Sequence, residues 1–151
     1  MSGVREATEA DLGALLRLYL YLHENGVPED SPRLRESWAA ILADRNHHIL
    51  VYEADGAIVS SCVCVVIPNL TRGVRPYALI ENVVTRSDCR NRGYAGACLD
   101  AARRVAREAG CYKLMLLTGS KRPEVLRFYE NRGYNSADKT AFVQWLQADD
   151  D

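Results

Sequence analysis

The pattern of hydrophobic and polar positions changes period several times along this chain, and each change predicts an element. Residues 4–7, Val-Arg-Glu-Ala, are a short candidate first strand. Leucines then recur every three or four residues after Thr8, which predicts a helix with Thr8 as its N-cap. Ser31-Pro32 predicts the start of a second helix, because proline is tolerated where its missing amide has no helical partner. The chain therefore opens with one strand and two helices.

Further strands are predicted from apolar runs. Asp55-Gly56 separates the first two runs and favours a tight hairpin, because both residues tolerate positive φ. The run at 113–118 is continuously apolar, which is typical of a central strand. The predicted strands lie at residues 49–54, 57–67, 77–84, 113–118 and, last, 140–146.

Two more helices alternate with the later strands. The pattern from about Tyr94 to Glu108, followed by Gly110, predicts the third helix. Pro123 opens a fourth, which ends near Arg132. This order predicts an α/β fold with a mixed, partly antiparallel central sheet flanked by about four helices. No linker or repeat divides the chain, so we expect a single domain over 1–151 with a frayed tail after about 147.

Composition is that of an ordinary globular protein and argues against several classes. Hydrophobic residues make up 48% and charged residues 26%, and the net charge of −1 favours neither nucleic acid nor an anionic membrane. No apolar run approaches the roughly 20 residues that span a bilayer, and the N-terminus has no signal-peptide core. The five cysteines have neither a paired framework nor zinc spacing. We therefore expect a cytoplasmic protein without a metal, a nucleic-acid partner or a membrane partner.

A basic turn with two glycines follows the predicted strand at 77–84 and leads into the third helix. Its sequence, residues 89–97, is Cys-Arg-Asn-Arg-Gly-Tyr-Ala-Gly-Ala. Glycine lets the backbone approach a ligand, and the first amides of a helix attract negative charge such as a phosphate. Arg90 and Arg92 add positive charge. The P-loop pattern and the dinucleotide fingerprint are both missing, and a turn of this kind can also serve packing alone.

Two segments resemble the GNAT superfamily of acyl-CoA-dependent N-acetyltransferases. Arg90-x-x-Gly93-x-Ala95 resembles that family's Gln/Arg-x-x-Gly-x-Gly/Ala signature. Residues 128–134, Phe-Tyr-Glu-Asn-Arg-Gly-Tyr, are similar to its Phe-Tyr-Glu-x-x-Gly-Phe segment. The two segments lie in the family's order, with a helix and a strand between them. Together they cover the chain from about residue 77 to residue 134.

The resemblance implies an acetyl-CoA site at this turn and along the strand before it. Backbone amides of the turn would hold the coenzyme A pyrophosphate, and the strand edge at Val83 and Val84 would pair with the pantetheine arm as another strand would. Arg122 stands where the family often has an asparagine that contacts the cofactor. The implied cofactor-binding residues are Val83, Val84, Arg90, Arg92, Gly93, Tyr94, Ala95, Gly96, Ala97 and Arg122.

Two side chains are candidates for the acid–base chemistry of acetyl transfer. Glu81 is a carboxylate within an apolar strand, where burial is costly without a partner, and we expect it to be the general base, directly or through water. The alternative is an edge position at which Glu81 binds an arginine. The resemblance implies that Tyr129 protonates the leaving thiolate, and the alternative is an aromatic residue that packs with Phe128.

The expected activity is an acetyl-CoA-dependent N-acetyltransferase that acts on a primary amine of a small molecule by direct attack in a ternary complex. Residues 80–84 most resemble the glucosamine-6-phosphate N-acetyltransferases, which implies an amino sugar or related metabolite, although that subgroup usually has an acidic pair in place of Glu81-Asn82. Acetylation of a peptide or protein amine and a non-catalytic coenzyme A-binding module are the alternatives. Tyr19, His23 and Trp38 could contact the acceptor or form part of the core. The family commonly forms homodimers.

Overall fold

The computed structural model describes residues 2–22 and 25–147. Their contacts divide the chain into two compact units, Met1–Leu116 and Leu117–Asp151. The tail that the sequence predicts to be frayed, after about residue 147, lies outside the described residues.

The first unit is built on a five-stranded sheet with the strand order β1-β2-β3-β4-β5. The strands are β1 (Gly3–Glu6), β2 (His47–Ala54), β3 (Ala57–Ile67), β4 (Tyr77–Thr85) and β5 (Leu114–Leu116). Strands β1 to β4 pair antiparallel in sequence order, and β5 joins β4 in parallel. The predicted hairpin between β2 and β3 is confirmed, with φ of 51° at Asp55 and 81° at Gly56. The predicted α/β fold with a mixed, partly antiparallel sheet is therefore confirmed, and every pair except β4–β5 is antiparallel.

Five helices lie within the described residues: α1 (Leu12–Leu18), α2 (Pro32–Ala43), α3 (Thr71–Val74), α4 (Tyr94–Glu108) and α5 (Pro123–Asn131). The four predicted helices are α1, α2, α4 and α5. Helix α2 starts at Pro32 as predicted, and Ser31 caps it, because the Ser31 side chain accepts the backbone N–H of Leu34 at 3.2 Å. The additional α3 is a single turn in which Arg72, Gly73 and Val74 have positive φ. No helix in 2–22 or 25–147 is both long and apolar enough to cross a membrane.

The core lies on both faces of the sheet, because successive residues of a strand point to opposite sides. Leu15 and Trp38, from the first two helices, pack with Val63 on one face. On the other face the Cys62 thiol lies 3.5 Å from the carbonyl oxygen of Cys98 in α4. Cys62 is completely buried and packs as a small hydrophobic residue.

Two predictions about strands are wrong. Residues 140–146 do not form a strand, and the described part of the second unit contains no strand at all. Phe142 and Trp145 in this segment are 92% and 85% exposed. The second error concerns β5, which is an edge strand of three half-exposed residues rather than a central strand. A strand is stable only beside a neighbour, and sequence periodicity does not say which neighbour is present.

Candidate functional site

β4 and β5 part halfway along β4. Their parallel pairing extends from Ala78 to Ile80, and β5 then ends at Leu116. β4 continues for five more residues, to Thr85. Within the described chain no strand takes up the β5-side edge of this extension. An exposed edge of this kind offers backbone hydrogen bonds to an extended ligand, as the sequence-based expectation for Val83 and Val84 requires.

A β-bulge reshapes β4 at the start of the open edge. Val63 of β3 faces Glu81 and Ser61 faces Val84, so Asn82 and Val83 together oppose one residue of β3. The φ of Asn82 is 52°, a left-handed conformation that asparagine tolerates better than most residues. A bulge bends and twists its strand, and such irregularities are frequent next to active sites.

Strand β4 is held firmly on the far side of this bulge. The hydroxyl of the completely buried Ser60 donates a hydrogen bond of 2.9 Å to the carbonyl of Val84 and lies 2.8 Å from the Thr85 hydroxyl. Val84 itself is 5% exposed. The part of β4 that follows the bulge is therefore held in place by Ser60, a buried residue of β3.

Glu81 is exposed, which corrects the expectation of a carboxylate buried in an apolar strand. The alternation of buried and exposed positions along β4 stops at Glu81 and Asn82, both of which face solvent where the bulge begins. Glu81 forms no ion pair with any described residue, so the structure does not support the arginine-bound alternative either. The carboxylate stands at the open edge of β4, where water or an amine can reach it.

The turn before α4 has the backbone geometry that its glycine suggests. Gly93 is the N-cap residue of α4, with φ of 83° and ψ of 7°, in the left-handed region. A Cβ built on Gly93 would meet no atom within 4 Å, so the space above this residue is open. The first intrahelical bond runs from the Ala97 amide to the Gly93 carbonyl at 3.0 Å. The preceding amides of the helix therefore point to the open side of the turn.

Side chains around the turn divide into those that fix it and those that face solvent. The Tyr94 ring stacks on Tyr52 of β2 with a centroid distance of 4.3 Å, and this contact anchors the first residue of α4 to the sheet. Gly96 is buried, whereas Arg90 and Arg92 are exposed. Neither arginine has an ion-pair partner among the described residues. The turn thus combines open amides, small residues and positive charge, a combination suited to a phosphate group.

The second unit carries the other predicted residues. Tyr129 lies on α5, half-buried, with its ring centroid 5.2 Å from that of Phe128 and 6.2 Å from that of Tyr134. Arg122 is the N-cap residue of α5, and its exposed guanidinium forms an ion pair with Glu124 at 3.3 Å. The aromatic contacts fit a packing role for Tyr129 and leave the proposed role as an acid untested.

Two of the N-terminal aromatic residues belong to the core. Trp38 is 9% exposed and donates its indole N–H to the Glu9 carbonyl at 3.3 Å. Tyr19 packs against the same core cluster, and burial raises its pKa to about 12. His23 lies outside the described residues. The structure therefore favours the core interpretation for Trp38 and Tyr19.

Sequence reasoning missed three residues that shape this site, namely Ser60, Asn82 and Tyr52. Only Asn82 carried a local signal, because an asparagine within an apolar strand suits a left-handed position. The contacts of Ser60 with Val84 and of Tyr52 with Tyr94 join residues that are distant in sequence, so no local pattern announces them.

Comparison with known proteins agrees with this geometry. The chain matches the Acetyltransferase (GNAT) family over residues 13–134. It is 29% identical over 142 residues to the glucosamine 6-phosphate N-acetyltransferase of Trypanosoma brucei brucei, and the match covers 90% of each chain. A solved protein of Agrobacterium tumefaciens strain C58, which carries a provisional assignment as an acetyltransferase, is 40% identical with a TM-score of 0.87, over 96% of this chain and 99% of that one.

A more distant structure shares the fold. AAC(6')-Iy, solved in complex with the bisubstrate analogue CoA-S-monomethyl-acetylneamine, has a TM-score of 0.77 at 17% identity, over 96% of this chain and 98% of that one. The family match covers most of the sequence and includes both β4 and the Gly93 turn. This chain belongs to the GNAT family of acetyltransferases.

Proposed function

We propose that this acyltransferase moves the acetyl group of acetyl-CoA to a primary amine of a small molecule, by direct attack in a ternary complex. The observation that carries the proposal is the pairing of two features in the first unit. β4 loses its β5 neighbour after Ile80, and the chain then leads from Thr85 into the open turn at Gly93. One edge can bond an amide-containing arm, and one turn can bond a phosphate.

The residues present fit coenzyme A. In our proposal the unpaired edge at Val83 and Val84 bonds the pantetheine arm, and the open amides from Arg92 to Ala97 bond the pyrophosphate. Arg90 and Arg92 contribute charge, and Arg122 is included from the family position alone. Acetyl-CoA supplies an acetyl thioester, whose thiolate is a good leaving group. The coenzyme A analogue bound to AAC(6')-Iy, which shares the fold, supports this assignment.

Glu81 is proposed as the general base. An amine is protonated near neutral pH and must lose a proton before it can attack a thioester. The Glu81 carboxylate is exposed at the β4 bulge, so it can accept this proton directly or through a water molecule. Tyr129 is proposed as the acid, its hydroxyl giving a proton to the departing sulfur. Glu81 belongs to the first unit and Tyr129 to the second, and each role is proposed from the features of its own unit.

Glucosamine 6-phosphate is the first acceptor to test, because the curated relative with 29% identity acts on that sugar. Glu81-Asn82 departs from the acidic pair that the subgroup usually has. Asn82 occupies a left-handed position in the bulge, where asparagine is favoured for its backbone conformation.

The deciding experiment is an acceptor screen that follows the release of free coenzyme A thiol from acetyl-CoA. The panel contains glucosamine 6-phosphate, glucosamine, an aminoglycoside and a peptide with a free amino group. We expect turnover with glucosamine 6-phosphate and a slower reaction with glucosamine, which lacks the phosphate. Turnover on the peptide alone would replace the small-molecule assignment by acetylation of a peptide or protein amine.

Two further outcomes of the screen have separate meanings. If acetyl-CoA raises the melting temperature but no acceptor releases thiol, the protein is a coenzyme A-binding module without this activity. If saturating acetyl-CoA leaves the melting temperature unchanged, the coenzyme site itself is wrong. The proposal also includes a cytoplasmic location, supported by five free cysteines, and a homodimer, which the family resemblance implies.

A further inference from the structure

A row of three side chains crosses strands β2, β3 and β4 of the first unit. Tyr52 of β2 faces Ser60 of β3, and Ser60 faces Thr85 of β4. Residues that face each other in antiparallel strands place their side chains on the same side of the sheet. Cys62, two residues along β3 from Ser60, shares this side and contacts α4. The row therefore lies on the face of the sheet that α4 covers.

Ser60 is the centre of this row, and the positions of its hydrogen-bond donors can be assigned. A serine hydroxyl donates one hydrogen bond and accepts two. Ser60 donates to the Val84 carbonyl at 2.9 Å, because a carbonyl oxygen can only accept. The Thr85 hydroxyl, 2.8 Å from Ser60, is therefore the donor in their contact. Because Ser60 is completely buried, no bulk water is available to replace its hydroxyl.

The same row contacts α4 at two positions one helical turn apart. The Tyr52 ring stacks on Tyr94, the first residue of the helix. Burial raises the pKa of the Cys98 thiol to about 11, and a hydrogen bond with Ser60 offsets part of this shift. Tyr94 and Cys98 are four residues apart, so they lie on one face of α4. Ser60 thus joins the part of β4 after the bulge to the first turns of the helix.

This part of β4 depends on its β3 side for support, because β5 ends halfway along β4. The β5-side edge at Val83 and Val84 has no strand neighbour within the described chain. On the β3 side the Arg86 amide donates to the Val59 carbonyl at 2.8 Å, and Ser60 adds its bond to Val84. A binding site that is fixed before the ligand arrives loses less entropy when the ligand binds. The Ser60 hydroxyl therefore favours binding of an extended ligand along this edge.

We propose that Ser60 is a positioning residue for coenzyme A, which holds the open edge of β4 and the first turns of α4 at the separation that the cofactor spans. The inference rests on the proposed function, in which Val84 belongs to the edge for the pantetheine arm and Gly93 to the turn for the pyrophosphate. A ligand that occupies two linked sites gains affinity only when their separation matches its own length. Ser60 is completely buried, so it acts through Val84 and Cys98 and without contact with the cofactor.

Calorimetric titration with coenzyme A tests this role with a closely matched control. Ser60→Ala should raise the dissociation constant of coenzyme A roughly tenfold, which is the loss typical of one buried hydrogen bond. Ser61→Ala is the control, because Ser61 is also completely buried and its hydroxyl donates to the Leu50 carbonyl at 2.7 Å. That bond joins β3 to β2, away from the open edge. Ser61→Ala should therefore lower the melting temperature by a similar amount and leave the affinity for coenzyme A unchanged.

The outcomes of this titration distinguish three cases. Weaker binding in Ser60→Ala alone supports the positioning role. Equal affinities in the Ser60→Ala and Ser61→Ala variants, at similar melting temperatures, would overturn it and make Ser60 a core residue only. If the unmodified protein bound no coenzyme A, the proposed cofactor site would itself be wrong, and the role of Ser60 would fall with it.

Thr85→Val gives a second measurement at a half-buried position, where the fold tolerates substitution more easily. Valine keeps the shape of threonine but cannot donate to Ser60, so coenzyme A binding should weaken roughly threefold. In a protein that also carries Ser60→Ala, the Thr85→Val change should cost no further affinity, because the acceptor is already missing. Unchanged affinity in Thr85→Val, or losses that simply add in the double variant, would contradict a shared role of the row.

Hydrogen exchange of the protein without cofactor then measures the positioning itself. In Ser60→Ala the amides of Arg86, after the open edge, and of Ala97, in the first turn of α4, should both exchange faster than in Ser61→Ala. Saturating coenzyme A should restore the protection of both. Faster exchange at Arg86 alone would show that Ser60 holds only the strand, and the proposed link between β4 and α4 would be wrong.

Discussion

The two units of this chain carry sequence signals of similar quality but reach different degrees of burial. Among the described residues, all buried hydrophobic side chains lie between Leu15 and Ala106, in the first unit. In the second unit α5 is as strongly amphipathic as α4, yet α5 has no buried residue, whereas α4 has six. An amphipathic pattern shows that an element has an apolar face, and it does not show what covers that face. The first unit covers its own apolar faces, and the described part of the second unit does not.

The two proposed catalytic residues lie in different units of the chain, and substitution of each residue in turn tests its role in the reaction. Glu81 lies on a bulge fixed by the buried Ser60, in the unit with a core. Tyr129 lies on a helix without a buried residue. If both act in one reaction, substitution of either should lower turnover, and neither substitution should change the affinity for acetyl-CoA.

Glu81→Gln should have the largest effect on turnover. Glutamine keeps the size and hydrogen bonding of the side chain but is not basic, so kcat should fall by roughly 10²–10⁴-fold if Glu81 is the general base. The affinity for acetyl-CoA should hardly change. The loss should shrink at high pH, where more of the acceptor amine is already deprotonated. Initial rates across a pH series measure both effects.

Glu108→Gln, at the exposed end of α4, is the control for loss of a surface carboxylate. A loss of stability in Glu81→Gln, with normal turnover in the folded fraction, would make Glu81 structural. Since Glu81 is exposed, we expect the melting temperature of the Glu81→Gln variant to be nearly the same as that of the unmodified protein.

Gly93→Val should weaken acetyl-CoA binding by roughly 10²-fold, or about 2.7 kcal/mol. Gly93 is in the left-handed region, where a β-branched residue is strained by about 1–2 kcal/mol, and the turn must shift to relieve that strain. The new side chain would also enter the open space above the turn. Isothermal titration measures the affinity, and the melting temperature reports the strain.

Gly110→Val is a closely matched control for Gly93→Val. Gly110 has φ of 81°, and a Cβ there would also meet no atom within 4 Å, but it follows the other end of α4. Both variants should lose similar stability, and only Gly93→Val should lose the cofactor. Equal affinity in the two variants would show that the Gly93 turn is a packing feature.

The sequence could predict the features that depend on neighbouring residues in the chain, and it could not predict those that depend on residues far apart in sequence. The bounds of α4 were predicted correctly because Gly93 and Gly110 mark its two ends locally. The hairpin at Asp55-Gly56 and the cap at Ser31 are likewise local. The exposure of Glu81, by contrast, depends on a bulge that is defined by pairing with β3. Such long-range pairing is absent from any short window of sequence.

The segment at residues 140–146 shows the same limit. Its residues are of the types that favour a strand, but a strand is stable only when it pairs with the edge of a neighbouring strand. The turn at Gly93 could be recognised from sequence because its proposed function depends on glycine and other small residues, which can be read from the sequence directly. The acceptor pocket could not, since it depends on how separate elements meet.

Tyr129→Phe should have a smaller effect, about tenfold on kcat and on kcat/KM together. The hydroxyl is proposed to protonate the thiolate as it leaves, so it acts mainly in the transition state, and acetyl-CoA affinity should stay constant. A tenfold loss corresponds to about 1.4 kcal/mol. Tyr134→Phe is the matched control, because Tyr134 lies in the same aromatic cluster, 6.2 Å from Tyr129. Full activity with lowered stability in Tyr129→Phe would make Tyr129 a packing residue.

The smallest effect we predict concerns stability in the first unit alone. Asp11 is 8% exposed and accepts two hydrogen bonds from the Arg5 guanidinium, at 2.7 and 3.0 Å, and one from the Thr8 amide at 2.7 Å. The Arg5 hydrogen bonds, with a smaller contribution from Thr8, lower the pKa of Asp11 to about 2. A carboxyl whose folded pKa is depressed stabilises the fold above its ordinary pKa, near 4, and that contribution disappears as the pH falls toward 2.

Asp11→Asn should therefore lower the free energy of unfolding by about 1–2 kcal/mol at pH 7, and the difference from the unmodified protein should vanish as the pH falls toward 2. Urea unfolding at a series of pH values measures both quantities. Asp30→Asn is the control, because the Asp30–Arg35 pair is 3.1 Å long but its side chains are 75% and 62% exposed. Removal of that exposed pair should cost less than about 0.5 kcal/mol at any pH. If Asp11→Asn cost as much at pH 2 as at pH 7, its effect would come from packing, and the charge of Asp11 would not stabilise the first unit.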